Sequence, residues 1–99
     1  MDYEWDTTKN LENIRKHKVS FEQAVSAIED PHRLFLYDEA HSQNEDRYTV
    51  IGNAEGRILF VNEVEIDEGT TRIISARRAK KKEMEAYYGN CALYFGNHT

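Results

Sequence analysis

An unbroken run of positive charge is the feature of this sequence that most directly suggests chemistry. Residues 72–82 contain no acidic side chain, and their basic members are Arg72, Arg77, Arg78, Lys80, Lys81 and Lys82. The whole chain has 13 lysines and arginines against 18 acidic residues and a net charge of −5, so the rest of the protein is strongly acidic. Such a cluster is typical of a site for an anion such as a phosphate, although a solvated surface can carry the same residues.

Histidines near carboxylates are the side chains best suited to proton transfer at neutral pH. His17 lies between two lysines near the predicted end of a helix, where a solvated residue that interacts with the helix dipole is the simpler interpretation. Asp38, His41 and Glu45 have a spacing that could hold a divalent cation if they converge in space. A polar loop braced by local hydrogen bonds accounts for the same residues, and we predict such a loop without a metal ion.

The helices that position these groups follow from capping residues and from the period of the apolar side chains. Asp6 is a good N-cap for a first helix over residues 7–18. Ser20 and Gln23 fit a capping box for a second helix, whose apolar residues recur at helical spacing. Asp30-Pro31 ends this second helix, because the residue before a proline disfavours the helical conformation.

After the proline, the apolar period changes to that of strands. The predicted strands, including a short one at the N-terminus, are residues 2–5, 33–37, 47–51, 57–66 and 72–76. Turn clusters at 53–56 and 67–69 join consecutive strands as hairpins. A last helix is predicted over 78–88, with Gly89 as its stop and residues 90–99 as a short tail. The order β-α-α-β-β-β-β-α predicts a single α+β domain of residues 1–99, with helices on one face of a small antiparallel sheet.

Composition argues against several classes of protein. The longest apolar run is Cys91 to Phe95, whereas a membrane-spanning helix needs about 18 such residues. The acidic N-terminus has no apolar stretch, so we expect no signal peptide and a cytoplasmic protein. A single cysteine allows neither an internal disulfide framework nor a cysteine-rich zinc site. We expect no cofactor.

Two runs are specific enough to suggest a family. They are Lys16-His17 followed by Val19-Ser20-Phe21-Glu22, and Arg72-Ile73-Ile74-Ser75-Ala76-Arg77. Further residues of the same pattern are Tyr3-Glu4-Trp5-Asp6, Lys9, Asn13, Ala24, Asp30-Pro31, Asp38, His41-Ser42, Glu45, Arg47, Ile51-Gly52 and Gly56-Arg57. On these residues the chain resembles the BrnT toxins from Tyr3 to about Tyr87.

The resemblance implies a RelE-like fold and a ribonuclease that blocks translation as the toxin of a type II toxin–antitoxin system. It also implies a BrnA-type antitoxin with a ribbon-helix-helix DNA-binding part, so that the toxin binds RNA directly and operator DNA only through the antitoxin. A homodimer and a heterotetramer with the antitoxin both stay open, and no membrane contact is expected. Two other functions stay open as well: a silent toxin homologue that acts only as a co-repressor, and a basic-faced module that binds an acidic protein.

One stretch of the sequence departs from the family pattern. The family usually carries a tyrosine, a threonine and then an arginine near the end of the long strand. This chain has Glu63 near the tyrosine position and Ile66 at the arginine position. If that arginine stabilises the transition state, its absence predicts a weakened ribonuclease.

The resemblance and the chemistry of RNA cleavage together suggest roles for individual residues. The 2′-hydroxyl attacks the adjacent phosphate, so a protein must orient the attack, neutralise charge and move protons, and no metal ion is required. Arg77 is the first candidate for neutralising phosphate charge, because a guanidinium offers paired donors, and Arg72 or Lys9 could assist. His17 is the first candidate for the acid or base, and Glu45 is the second. Flanking phosphates are expected at Arg78, Lys80, Lys81 and Lys82.

Overall fold

The structure is a computed structural model that describes residues 2–96, with side chains described up to residue 91. Within this part of the chain the strands are β1 (Asp2–Glu4), β2 (Leu34–Tyr37), β3 (Asp46–Ala54), β4 (Arg57–Asp67) and β5 (Thr70–Arg78). The helices are α1 (Thr7–His17), α2 (Phe21–Ile28) and α3 (Lys81–Gly96), and a turn of 3-10 helix at Glu39–His41 lies between β2 and β3. The α+β class and the element order expected from the sequence are confirmed.

The strands form one mixed sheet with the order β1-β5-β4-β3-β2. β2 to β5 pair as the predicted antiparallel meander. The two tight turns use Gly56 and Gly69, whose φ angles of 95° and 94° favour glycine. β1 instead pairs in parallel with β5, and Glu4 lies opposite Arg72. A tight hairpin turn makes neighbouring strands antiparallel, but most of the chain separates β1 from β5, so no turn constrains the direction of β1.

Local capping sets the starts of α1 and α2 as the sequence predicts. The Asp6 side chain accepts a hydrogen bond from the Lys9 amide at 3.1 Å. The Ser20 hydroxyl accepts from the Gln23 amide at 3.1 Å, and the Gln23 side chain accepts in return from the Ser20 amide at 2.9 Å. These bonds satisfy amides that have no partner inside the helix.

The main core lies between α2 and one face of the sheet, which we call the helical face. Alternate residues of the three central strands point to this face. The buried cluster contains Val50, Leu59, Val61, Ile73 and Ala76 from these strands and Phe21, Ala24, Ala27 and Ile28 from α2. α2 approaches β3 so closely that Gly52 faces the Ala27 backbone with no room for a side chain.

A buried asparagine on α1 holds the free edge of β5. β1 covers only residues 70–72 of that edge. Beyond β1, the Asn13 side chain donates to the Ala76 carbonyl at 2.7 Å and accepts from the Ala76 amide at 3.2 Å. Asn13 therefore satisfies the backbone groups that a neighbouring strand would otherwise pair, and it does so one residue before Arg77.

α3 packs on the opposite side of the sheet from α2. Its Tyr87 joins Ile51 and Ile58 in a second buried cluster, and these two strand residues alternate with those of the helical face. The Tyr87 hydroxyl donates to the Asp30 carboxylate at 2.5 Å. We expected the helices on one face; α2 lies there and α1 lies against β5, whereas α3 covers one end of the other face.

α3 continues through Gly89, where the sequence predicted a stop. The Asn90 side chain donates to the His32 carbonyl at 3.3 Å, and Tyr87 is anchored as described, so contacts on both sides of Gly89 hold this helix to the body. A glycine inside a helix costs about 1 kcal/mol relative to alanine, which such contacts offset. Most of the predicted tail is therefore helix, and residues 97–99 lie outside the described residues. No helix within residues 2–96 is long and apolar enough to cross a membrane.

A carboxylate is buried on the helical face where β4 pairs irregularly with β5. Glu63 is 1% exposed, and the register shifts between Asn62 and Glu63. Desolvation by burial, reinforced by the negative charge of Glu65, raises the pKa of Glu63 to about 7, although a hydrogen bond with Thr71 acts in the opposite direction. The fold therefore favours the protonated form of this side chain.

Because of Glu63, the stability of the fold should fall as the pH rises. The contribution of the neutral Glu63 side chain to the stability of the fold is fully present below the ordinary pKa of 4.5. It is lost as the pH rises through about 7. Between about pH 5 and pH 8, Glu63→Gln should therefore gain on the order of 2–3 kcal/mol in free energy of unfolding relative to wild type. Thermal unfolding across this range measures the effect, with the exposed Glu12→Gln as the control. Parallel pH profiles for wild type and Glu63→Gln would contradict this expectation.

Candidate active site on the open face of the sheet

The face of the sheet opposite α2, which we call the open face, carries a row of polar side chains across its centre. Thr49 donates to Asn62 at 3.2 Å, and Asn62 donates to Ser75 at 3.0 Å. The strand register places these three residues side by side on β3, β4 and β5. All three are half-buried, so this part of the open face is polar and can be reached from solvent.

Arg77 lies beside this row on β5, and its guanidinium is held on two sides. It donates to both oxygens of Glu83 at 2.8 and 2.9 Å, and it lies over the Phe60 ring at 4.1 Å from the ring centre. Its hydrogen bonds with Glu83 raise the pKa of Arg77 and lower that of the carboxyl group. Glu83 also accepts from the Lys80 amide at 2.7 Å. The predicted phosphate ligand is therefore already paired with a carboxylate.

Glu83 is a residue of the site that the sequence reasoning missed. A glutamate near the start of a helix commonly reaches back to an amide at the helix start, and its position three residues after Lys80 was the available signal. Its contact with Arg77 depends on the angle between β5 and α3, which no local pattern encodes.

The other basic residues of the 72–82 segment lie exposed around the start of α3. They are Arg78, Lys80, Lys81 and Lys82. Within the described residues, their side chains form no ion pair. Exposed cations at a helix start suit a phosphate, so the phosphate site that the sequence suggests here stays a prediction.

Asp38 and His41 form a carboxylate–imidazole pair in the loop between β2 and β3. His41 Nδ1 lies 2.8 and 3.0 Å from the two carboxylate oxygens of Asp38. In a neutral ring this bond assigns the proton to Nδ1, so Nε2 is an acceptor. The His41 side chain is 68% exposed, so this nitrogen can reach a ligand. The pair has the arrangement of a general base that is oriented by an acid.

Local hydrogen bonds brace the loop that carries this pair. The Ser42 hydroxyl donates to the Asp38 carbonyl at 2.5 Å and accepts from the Arg47 amide at 2.9 Å. Glu45 forms an ion pair with Arg47 at 3.2 Å. Among residues 2–96, no three His, Cys, Asp or Glu side chains are grouped as metal ligands. The carboxylates of Asp38 and Glu45 pair with side chains of the protein instead.

Side chains from several elements meet around Ile74 on the open face, and we call this region the cleft. On one side of Ile74 is a cavity of about 150 Å³, whose lining includes Asp38, His41, Arg47 and Asn62. On the other side is a cavity of about 360 Å³, whose lining includes Glu4, Lys9 and Arg72. Both cavities include Ile74, so the cavity of the predicted residues Arg72 and Lys9 shares a wall with the cavity of the Asp38–His41 pair.

The arginines of the cleft are paired with exposed carboxylates. Arg47 lies 3.2 Å from Glu45, and Arg72 lies 2.7 Å from Glu4. The four side chains are 39–47% exposed, and surface pairs of this kind contribute at most about 1 kcal/mol. A phosphate that enters the cleft can therefore compete with these carboxylates for the arginines.

Two residues singled out in the sequence, His17 and Ile66, do not line the cleft. His17 is exposed at the end of α1, and its side chain makes no hydrogen bond or ion pair within the described part of the chain, so no partner orients it. Ile66 is 41% exposed near the end of β4. Glu63 contributes to the lining of the smaller cavity of the cleft, but its side chain is only 1% exposed.

Comparisons with known proteins agree with this fold. The family model described as "Ribonuclease toxin, BrnT, of type II toxin-antitoxin system" matches residues 5–83. Among curated proteins, none matches the sequence. The 1.1 Å crystal structure of the Brucella abortus ribonuclease toxin BrnT is similar, with a TM-score of 0.65 and 25% sequence identity. That similarity covers 82% of this chain and 99% of the Brucella chain.

Proposed function

Because this chain belongs to the BrnT family of ribonuclease toxins of type II toxin–antitoxin systems, we propose that it cleaves RNA on the open face without a metal ion. The observation that carries this proposal is the Asp38–His41 pair, which presents an imidazole acceptor beside Arg47 in the cleft. An oriented base next to a cation is what the attack of a 2′-hydroxyl on the adjacent phosphate requires.

In this mechanism His41 Nε2 accepts the proton of the 2′-hydroxyl, and Asp38 stabilises the imidazolium that results. The 2′ oxygen bonds to phosphorus, and the bond between phosphorus and the 5′ oxygen breaks. The leaving 5′ oxygen takes a proton from water, so the products are a 2′,3′-cyclic phosphate and a 5′-hydroxyl. Arg47, together with Arg72 and Lys9 on the other side of Ile74, neutralises the charge that develops on the phosphorane.

This assignment changes the order of the candidates that the sequence suggested. His41 takes the place of His17 as the base, because a carboxylate orients its ring. Glu45 holds Arg47 and so positions a phosphate ligand, whereas the sequence suggested a proton-transfer role for it. Arg77 binds a flanking phosphate when the substrate competes with its carboxylate partner.

We further propose that the partner is a BrnA-type antitoxin with a ribbon-helix-helix part, and that the toxin reaches operator DNA only through it. A type II toxin has a protein antitoxin, and cleavage of translated RNA belongs in the cytoplasm. Expression of the wild-type chain should arrest growth, and co-expression of the antitoxin encoded beside it should restore growth. Unimpaired growth at high expression of folded protein would contradict the toxin activity.

A catalytically silent toxin homologue that acts as a co-repressor is the second candidate. It is favoured by Ile66, which stands where the family usually has an arginine. One lost transition-state contact commonly costs about 10²–10³ in rate, so we expect a slow enzyme, and Ile66→Arg should raise its rate. Folded protein that represses its operon with the antitoxin but cleaves no RNA would establish the second candidate.

The exposed lysines at the start of α3 should carry much of the RNA affinity. Replacing Lys80, Lys81 and Lys82 with glutamine should weaken binding and flatten its salt dependence, because fewer counterions are released from the phosphates. Fluorescence titration of a short RNA at several salt concentrations measures this slope. The control replaces Lys16 and Lys18, exposed at the end of α1, with glutamine. An unchanged slope in the triple variant would remove the lysines from the interface.

A further inference from the structure

On the helical face, a pocket beside the edge strand β2 has no role in the proposed reaction. Its volume is about 290 Å³, and its charged and polar walls are formed by Tyr3, Glu29, Arg33, Glu63, Glu65 and Thr71. We call it the acidic pocket, because three carboxyl groups line it against one guanidinium. RNA is a poor occupant, since these carboxylates repel its phosphates.

Glu63 forms the buried base of this pocket, and one of its carboxyl oxygens has no hydrogen-bond partner within the described residues. Its side chain is 1% exposed, and its Oε1 accepts no hydrogen bond within the described part of the chain. Thr71 hydrogen-bonds to the carboxyl group. A buried acceptor without a donor is costly, so a donor that enters from outside would remove this penalty.

Within the described residues, the neighbouring cation and hydroxyl group of the pocket do not donate to Oε1 of Glu63. The Arg33 guanidinium donates to the Asp30 carbonyl at 3.2 Å, and within residues 2–96 it forms no ion pair with a carboxylate of the pocket. The Tyr3 hydroxyl donates to Glu29 at 3.2 Å. The pocket therefore keeps an excess of negative charge and a free acceptor at its base.

The surface next to the acidic pocket is apolar and lies on an open edge of the sheet. Phe35 and Tyr37 of β2 are 43% and 51% exposed, and Phe35 also lines the pocket. Leu36, between them on the opposite face of β2, is 49% exposed. β2 is the last strand of the sheet, so the outer side of its backbone has no neighbouring strand in the described sheet. Exposed apolar groups on an edge strand are typical of a surface that a partner segment covers.

We propose that the acidic pocket is a docking site for the antitoxin and receives a lysine or arginine side chain of it, while neighbouring apolar side chains of the antitoxin cover β2. The inference rests on the proposed function in one respect, which is that the chain has an antitoxin partner. The incoming cation donates to Glu63 at the base of the pocket and faces Glu29 and Glu65 at its sides. Docking then converts the neutral Glu63 into a paired carboxylate and releases its proton.

Isothermal titration of the full-length toxin with the BrnA-type antitoxin encoded beside it tests this proposal. Wild type, Glu63→Gln and the control Glu12→Gln are compared at about pH 6.5 in two buffers of different ionisation enthalpy. We expect Glu63→Gln to bind about 10–100-fold more weakly than wild type, since it removes one member of a buried charge pair. Wild type and Glu12→Gln should release protons on binding, and Glu63→Gln should not. The glutamine is nearly isosteric with the neutral carboxyl group that burial favours at this position, so this variant is expected to fold.

The outcomes separate this inference from the proposed function. If wild type and Glu63→Gln bind the antitoxin with equal affinity and equal proton release, the docking site is wrong while the partnership stands. If wild type forms no complex with the antitoxin, the partnership itself is wrong and the inference fails with it.

Discussion

Replacement of His41 by alanine should slow RNA cleavage by about two to four orders of magnitude. The reason is that Nε2 is the acceptor for the 2′-hydroxyl proton, and Asp38 fixes the ring through Nδ1 at 2.8 Å. The His41 side chain is 68% exposed, so its removal should not disturb the core. Single-turnover cleavage of a short RNA measures the rate, and circular dichroism checks the fold.

His17→Ala is the matched control for this experiment. It removes an exposed histidine that no carboxylate orients within the described residues, and it should cleave at the wild-type rate. Asp38→Asn should cleave at an intermediate rate, because the base remains but its orientation and the stability of the imidazolium are lost. Full activity in His41→Ala together with a loss in His17→Ala would return the base to His17.

Gly52→Ala should lower the free energy of unfolding by about 3 kcal/mol or more. A Cβ at this position would lie 2.1 Å from the Ala27 carbonyl oxygen and 2.8 Å from its carbonyl carbon. Both atoms belong to the backbone of α2, whose Phe21 and Ala24 are completely buried against the sheet, so the clash can be relieved only by moving the helix. Chemical denaturation measures the change.

Gly89→Ala gives the control for the same chemical change. Nothing lies within 4 Å of a Cβ built at Gly89, and its position inside α3 means that alanine should stabilise the helix by up to about 1 kcal/mol. Equal effects of the two substitutions on the free energy of unfolding would show that the close approach of α2 to β3 does not exclude a side chain at position 52.

Much of the architecture could be predicted because its signals are local. Asp6 and the pair Ser20 and Gln23 cap helices through bonds that span three residues. The turns at Gly56 and Gly69 likewise lie within short segments. The meander therefore follows from the spacing of apolar residues along the strands and from the turn residues between them. By contrast, α3 continues past Gly89 because Tyr87 and Asn90 contact distant residues. A pattern read along the chain does not contain those contacts.

The candidate site was harder to predict than the fold, because it forms across strands. Arg72 was singled out as a residue of the 72–82 segment, but the wall that its cavity shares with the cavity of His41 depends on the register of the strands around Ile74. The pairing of Arg77 with Glu83 depends on the turn between β5 and α3. The spacing of Asp38 and His41 suggested a metal site or a braced loop, and only the side-chain geometry shows an oriented imidazole.

Metal-free cleavage through the 2′-hydroxyl is tested most directly by product analysis with two matched oligonucleotides. Purified wild-type protein is incubated in excess EDTA with a short RNA and with the same sequence made of 2′-deoxynucleotides. We predict that the RNA is cut to fragments that end in a 2′,3′-cyclic phosphate, and that the deoxy strand stays intact. Cleavage of both strands, or cleavage that appears only after Mg²⁺ is added, would contradict the mechanism.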